Sequence, residues 1–261
     1  MKIISWNVNG IRAVERKGEL EKFLAAHDPD ILLFQEIKSK SEQVQNLIEK
    51  YSEFQQFYHA AEKPGYAGTA IWISKNEKLK IKNEELKFHV GMPDFTDDEG
   101  RISRVSFGNF EILGVYFPNG GKSPAAWQGK LEFYEKFLAF VNKLRAAGKT
   151  VIFAGDVNCA HAPIDLARPA DNDGKIGFHP DERARISKWI SAGWRDVWRS
   201  KFPEKKDVYS WWHVITRARD RNVGWRLDYF FVDNSFFSKV KKIDYLTDQM
   251  GSDHCPVSLE I

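Results

Sequence analysis

The chain lacks the marks of several large protein classes. Two cysteines occur in 261 residues, Cys159 and Cys255, and they form no CxxC or Cys/His zinc pattern. A disulfide scaffold is thereby excluded, and an intracellular, cytoplasmic location is expected. No apolar run approaches the ~20 residues needed to cross a bilayer, so no membrane partner is expected. The start, Met1-Lys-Ile-Ile-Ser-Trp-Asn7, reads as a strand and not as a signal peptide, because no long apolar segment or cleavage site follows. GxSxG is missing and neither cysteine has a motif context, which leaves no serine or cysteine nucleophile. Repeats, low-complexity tracts and linkers are also missing, so residues 1–261 read as one domain.

A charge of one dominant sign is missing too, since the net is +3, yet its distribution is uneven. Residues 183–242 hold fifteen Lys and Arg against six Asp and Glu, a surplus of +9, and the remainder sums to −6. Six of the nine tryptophans lie between Trp189 and Trp225. A basic, aromatic-rich segment suits a polyanion that also offers flat faces for stacking. The opposite sign elsewhere would confine contact to one face. Many of the same residues would serve equally as a solvated surface over a tryptophan-rich core.

What is present is organised around Thr150-Val-Ile-Phe-Ala-Gly-Asp-Val-Asn158. This apolar, β-branched run reads as a buried strand delivering Asp156 and Asn158 at its C-terminal end, two residues apart and so able to face one site. Other apolar segments end similarly: residues 2–6 before Asn7 and Asn9, and Ile31–Phe34 before Gln35-Glu36. Polar groups at the mouth of an apolar sheet are costly to bury without partners or a ligand.

Helical spacing predicts helices over 11–26, 42–50, 124–147 and 180–190. Further strands are expected at 57–60, 69–74, 102–107, 111–117, 209–212, 225–232, 243–246 and 256–261, with an exposed acidic loop at 93–100. An irregular loop is expected over 160–178. Many strands with helices at intervals imply an α/β domain of two packed sheets with outer helices.

If the strand ends converge, Asn7, Asn9, Glu36, Asp156, Asn158, Asp228, Asp253 and His254 form an acidic, amide-rich pocket with one imidazole. Oxygen ligands without a Cys/His cluster favour a hard cation, Mg²⁺ first and Mn²⁺ as substitute, with Glu36 the foremost ligand. Phosphodiester hydrolysis needs an activated water and neutralisation of charge on the phosphoryl oxygens. Asp156 could orient or deprotonate the water and Asn158 hold it or the phosphate. His254 could donate to a non-bridging oxygen if Asp228 or Asp253 keeps it charged.

Six motifs, in order along the chain, carry a resemblance. They are Ser5-Trp-Asn7-Val-Asn9-Gly10, Gln35-Glu36, Tyr116-Phe-Pro-Asn119, Gly155-Asp156-Val-Asn158, Asn222-Val-Gly-Trp225-Arg-Leu-Asp228-Tyr229 and Ser252-Asp253-His254-Cys-Pro256. Together they resemble the exodeoxyribonuclease III family of abasic-site endonucleases, within the endonuclease/exonuclease/phosphatase superfamily. The resemblance implies a four-layer α/β sandwich with mostly antiparallel sheets. It also implies Mg²⁺-dependent cleavage 5′ to an abasic site that leaves a 3′-hydroxyl, with 3′-exonuclease or end-trimming activity. The partner implied is double-stranded DNA with abasic sites or blocked 3′ ends, bound by a monomer.

In that reading Glu36 binds the metal, supported by Asn7, Asn9 and Asp253. Asp156 and Asn158 position the water, and Asp228 orients His254. Tyr116 and Asn172 contact the target phosphate, Asn119 and Lys122 lie on the DNA, and Trp211 and Trp225 wall the pocket for the flipped-out sugar. Two positions depart from the pattern. Asn9 stands where some relatives carry Asp, and Lys122 stands where some insert an arginine, whose planar fork lysine lacks.

Overall fold

The computed structural model describes residues 1–76 and 86–261. In chain order the elements begin β1 (Lys2–Asn7), α1 (Ile11–Arg16), α2 (Glu19–His27), β2 (Ile31–Gln35), α3 (Gln45–Lys50), β3 (Phe54–His59) and β4 (Thr69–Ser74). The middle of the chain forms β5 (Lys87–Val90), β6 (Ile102–Phe107), β7 (Phe110–Tyr116), α4 (Pro124–Ala146), β8 (Thr150–Asp156), α5 (Pro169–Asn172) and α6 (Pro180–Ser191). The rest comprises β9 (Trp194–Asp196), α7 (Val197–Lys201), β10 (Trp211–Trp212), β11 (Gly224–Trp225), β12 (Asp228–Asp233), β13 (Lys242–Tyr245) and β14 (Val257–Glu260).

Two six-stranded sheets result, ordered β13-β14-β1-β2-β4-β3 and β5-β6-β7-β8-β12-β9, with β10-β11 a separate ribbon. Among the described residues only β1–β2 and β7–β8 pair in parallel; the other sheet pairs are antiparallel. The two-residue period of a strand sorts its side chains into layers. Ile3, Ile31 and Leu33 of one sheet meet Ile112, Ile152 and Phe230 of the other in a central core. Their neighbours Ile4, Trp6, Leu32 and Phe34 face outward onto Val14, Leu20, Phe23 and Leu47 of the first three helices. On the far side Leu113, Val151 and Phe153 face Phe133, Phe137, Ile186 and Trp189 of α4 and α6. The order is helix, sheet, sheet, helix, a four-layer sandwich as expected.

The registers place the functional end. Asn7 pairs with Gln35 across β1–β2, and Tyr116 pairs with Asp156 across β7–β8, so both parallel pairs finish at one edge of the sandwich. Asp228 starts the antiparallel neighbour β12 opposite Asp156. Gly155 is required there: with φ at 148°, a Cβ would lie 1.8 Å from the Val115 carbonyl oxygen.

Several expectations need correction. The helix over 11–26 is two helices, because Gly18 takes the left-handed φ of 71° and redirects the chain. The segment 225–232 is not one strand: Trp225 belongs to the ribbon and β12 begins at Asp228, with Arg226 fully buried between them. β5 was not expected, being a short edge strand with exposed ends. The acidic loop is only partly exposed, since Asp97 turns inward to accept from the backbone N–H groups of Arg101 and Ile102. The loop 160–178 contains the short α5 and a 3₁₀ turn at Pro163–Asp165.

Candidate active site

Glu36 leaves β2 with φ at 49°, a conformation that costs a non-glycine residue energy and that collects at functional sites. This turn carries its carboxylate to the side chain of Asn7, whose Nδ2 donates to Glu36 Oε1 at 2.9 Å and to Asp156 Oδ2 at 2.9 Å. Asn7 Oδ1 accepts the backbone N–H of Asn9. One amide thus ties together the ends of three strands. Gln35 points the other way, into the core, where it bonds Ser5.

Asp156 is 1% exposed, and its Oδ1 accepts the N–H of Asn158 at 2.8 Å. Asn158 Nδ2 donates to the Phe117 carbonyl, and its Oδ1 accepts from Asn119 Nδ2 at 3.2 Å. His254 approaches from the segment before β14. Its Nδ1 lies 2.8 Å from Asp228 Oδ2 and its Nε2 lies 3.8 Å from Asp156 Oδ2. Asp228 is fixed through its backbone, with N–H donated to Ser210 Oγ and the carbonyl accepting Tyr245 OH.

Burial by itself would discharge His254, but the Asp228 and Asp156 carboxylates outweigh it and raise its pKa to about 10. Both ring nitrogens therefore carry protons at neutral pH, and Nε2–H faces the cavity as a donor. Asp156 is pushed in the opposite chemical sense. Burial, then the nearby Asp228 and Glu36 charges, raise its pKa well above the carboxylate range, opposed by His254. The Tyr116 phenol is raised by burial and by Glu36 and Asp156, so it stays a neutral donor.

These groups floor a cavity of about 250 Å³. Its polar base is Glu36, Tyr116, Asn119, Asp156, Asn158, Asp253 and His254, and its apolar side is Trp211, Trp225, Leu227 and Ile176. Trp211 and Trp225 are register partners on the ribbon, ring centroids 6.4 Å apart and nearly perpendicular. Asp253 is held between Asn9 Nδ2 at 2.9 Å and Trp211 Nε1 at 3.0 Å. It thus links the acidic corner to the aromatic wall.

Ligand atoms of Glu36, Asp156 and His254 lie within 4.8 Å of one another and could hold a metal ion. The charged state of His254 removes its lone pairs from that task and leaves the carboxylates. Glu36, Asp156, Asp228 and Asp253 crowd into one corner against His254 and Lys38, whose ammonium bonds Glu36 Oε2 at 3.0 Å and also Asn9 Oδ1. A hard divalent cation suits such an excess of oxygen charge.

Five expected residues do not line the cavity: Asn7, Asn9 and Asp228 stand behind it, bonded to residues that do, whereas Lys122 and Asn172 lie apart from it. Lys122 is exposed, donating to Tyr66 OH at 2.8 Å and lying 4.2 Å over its ring. Asn172 turns its Nδ2 to the Arg168 carbonyl. Part of the basic surplus is internal: Arg226 and Arg199 pair with Asp165, and Arg226 also with Asp196. Lys38, Leu227 and Ile176 were not singled out from sequence. Leu227 follows Trp225 at a two-residue spacing, a signal that was there to use.

A family model described as the endonuclease/exonuclease/phosphatase family matches residues 4–254. The chain is 38% identical to an exodeoxyribonuclease of Bacillus subtilis over all of this chain and 99% of that protein. It is 34% identical to the DNA repair nuclease APEX1 of Danio rerio, over 99% of this chain and 81% of the other. Among solved structures, an AP endonuclease from Leishmania major superposes with a TM-score of 0.87 at 25% identity, covering 99% of this chain and 86% of that one. With the motifs in order and the site assembled from them, the chain belongs to the endonuclease/exonuclease/phosphatase family, in its exodeoxyribonuclease and AP endonuclease branch, and is a hydrolase.

Proposed function

We propose that the protein is a Mg²⁺-dependent DNA-repair phosphodiesterase. It hydrolyses the backbone of double-stranded DNA 5′ to abasic sites, leaves a 3′-hydroxyl, and trims blocked 3′ ends. The whole chain acts as one catalytic domain and as a monomer inside the cell. The observation that carries this reading is the single cavity in which a charged His254, the Asp156–Asn158 pair and Glu36 face the Trp211–Trp225 wall.

Glu36 and Asp156 would hold the ion, with Asn7 orienting both carboxylates, while Asn9 and Asp253 support the corner. When bound, the cation would supply Lewis-acid neutralisation of phosphoryl charge and help for the leaving oxygen. Asp156 orients and deprotonates the attacking water. Asn158 keeps one Nδ2–H and one Oδ1 lone pair free of the protein bonds described above, enough to hold that water or a phosphate oxygen. His254 Nε2–H and the Tyr116 phenol donate to the non-bridging oxygens, where charge grows in the transition state. Asn119 and Lys122 track the strand beside the target, and Asn172 reaches a phosphate only after releasing Arg168.

The cavity suits a deoxyribose without a base. An abasic nucleotide has little stacking to lose when turned out of the helix, and Trp211, Trp225 and Leu227 offer it an apolar face. The named activities of the relatives support the same substrate class. The test is a duplex with one abasic analogue, incubated with Mg²⁺, with Mn²⁺ and with EDTA. Incision 5′ to the analogue in the metal tubes alone is expected, and uncut DNA in all three ends the reading. Light scattering checks the monomer.

A further inference from the structure

Lys130 on α4 and Glu182 on α6 form an ion pair in which both side chains have 0% exposure. The Lys130 ammonium donates to the carbonyl oxygens of Asn119 at 3.1 Å and Asn158 at 2.8 Å, and it pairs electrostatically with Oε1 of the Glu182 carboxylate. The second Glu182 oxygen accepts the N–H groups of Gly177 at 2.8 Å and His179 at 3.0 Å. The loop after β7 also rests on the lysine stem, for a Cβ on Gly120 would lie 2.9 Å from Lys130 Cδ.

One buried pair therefore pins three segments that line the cavity: the Asn119 loop, Asn158 beyond β8, and the Gly177 strap against Trp225. Desolvating two charges costs several kcal/mol, and an apolar pair of similar volume often replaces them without loss of stability. The surrounding faces of α4 and α6 are apolar, with Phe133, Tyr134, Ile186 and Trp189. The fold alone thus gives little reason for charge at this point, whereas the site does. Asn158 holds its left-handed φ of 55° and Gly177 its φ of 89° where the pair grips them.

We infer that Lys130 and Glu182 are positioning residues: their buried ion pair sets the Asn119 and Asn158 amides and the Gly177 strap in the geometry that receives the target phosphate. What is positioned rests on the proposed function; the gripping contacts do not.

The experiment replaces both charges at once, Lys130→Met with Glu182→Leu, and compares Tm, kcat and KM on the abasic duplex at saturating Mg²⁺. Expected is a Tm within a few degrees of wild type, KM within about threefold, and kcat lower by at least 30-fold. Lys130→Arg, which keeps the charge and the donors, should retain most of kcat. A folded double variant with wild-type kcat overturns the inference. Should the double variant not fold, Glu182→Gln decides by the same criterion, with kcat expected at least fivefold down and hydrogen exchange at the Gly177 amide accelerated. A wild-type protein that leaves abasic DNA uncut would instead remove the functional reading.

Discussion

His254 Nδ1 sits 2.8 Å from Oδ2 of Asp228, and Asp228 is the register partner of Asp156, the carboxylate on the other side of the same imidazole. A strand pairing therefore decides the distance between the two acids and holds the ring between them. Among the described residues Asp228 Oδ1 has no hydrogen-bond partner, and the imidazolium at Oδ2 balances this carboxylate. The arrangement keeps a cation aimed at the cavity at neutral pH.

The first prediction concerns pH. The folded pKa of His254 is raised to about 10, so its stabilising contribution is complete below the ordinary histidine value of 6.5 and is lost as pH climbs through about 10. Catalysis by Nε2–H should follow the same alkaline limb. Asp228→Asn removes the larger of the two raising charges, so the limb should move toward neutrality. A pH–rate profile for the variant that matches wild type on the alkaline side would refute the pairing role.

Removing the donor itself is a separate matter. A preorganised hydrogen-bond donor to a developing oxyanion is worth about 2.7–4 kcal/mol, or roughly 10²–10³ in kcat. His254→Ala should lose that much in kcat with a smaller change in KM, measured in single-turnover reactions on an abasic duplex. Near-normal turnover would take His254 out of the mechanism.

The acidic corner makes two opposite predictions about metal. Glu36→Gln loses a ligand charge and should weaken Mg²⁺ binding. Lys38→Met should tighten it, because the Lys38 ammonium lies on Glu36 Oε2 and Asn9 Oδ1, atoms that a divalent cation would also engage. Two like charges so close repel by several kcal/mol at an effective dielectric of ~20, so a tenfold or larger gain is expected. Calorimetric titration with Mg²⁺, or Mn²⁺ titration followed by electron paramagnetic resonance, measures both without relying on turnover. An unchanged isotherm in either variant contradicts its assignment.

Strand ends were legible because several apolar runs stop in the same way at Asn, Asp or Glu, and Asn7, Glu36, Asp156 and His254 meet at one edge. The layer order followed from the same alternation. What could not be read was long-range satisfaction of charge. Lys130 lies on α4 beside the expected apolar face, yet it is buried because two carbonyl oxygens and the Glu182 carboxylate from distant segments converge on it. Arg226 interrupts an apolar run for the same reason, since Asp165 and Asp196 meet it only after folding. Lys122 and Asn172 do not line the cavity, and each is bonded to this chain's own Tyr66 or Arg168.

Arg226 leads to the last prediction, which concerns acid stability. Its guanidinium is wholly buried between Asp165 and Asp196, and it separates Trp225 of the cavity wall from Asp228 of the imidazole pair. Burial alone would raise the Asp165 pKa, but Arg226 and Arg199 outweigh it and bring it down to about 2. A carboxylate with a depressed folded pKa adds stability above its unfolded value, and that stability is lost as pH falls through the folded one. The window here runs from near pH 4 down to about 2, and the contribution at neutral pH is about 2–3 kcal/mol. Asp165→Asn should flatten the acid limb of stability over that window. Asp165→Ala should do more, because it leaves a buried guanidinium short of a partner, a loss of about 3–5 kcal/mol. Both are read from urea midpoints at fixed pH. A second readout is the fluorescence of Trp225, which lies next in sequence to Arg226. An acid limb in Asp165→Asn as steep as in wild type would show that the network does not set the low-pH edge of the fold.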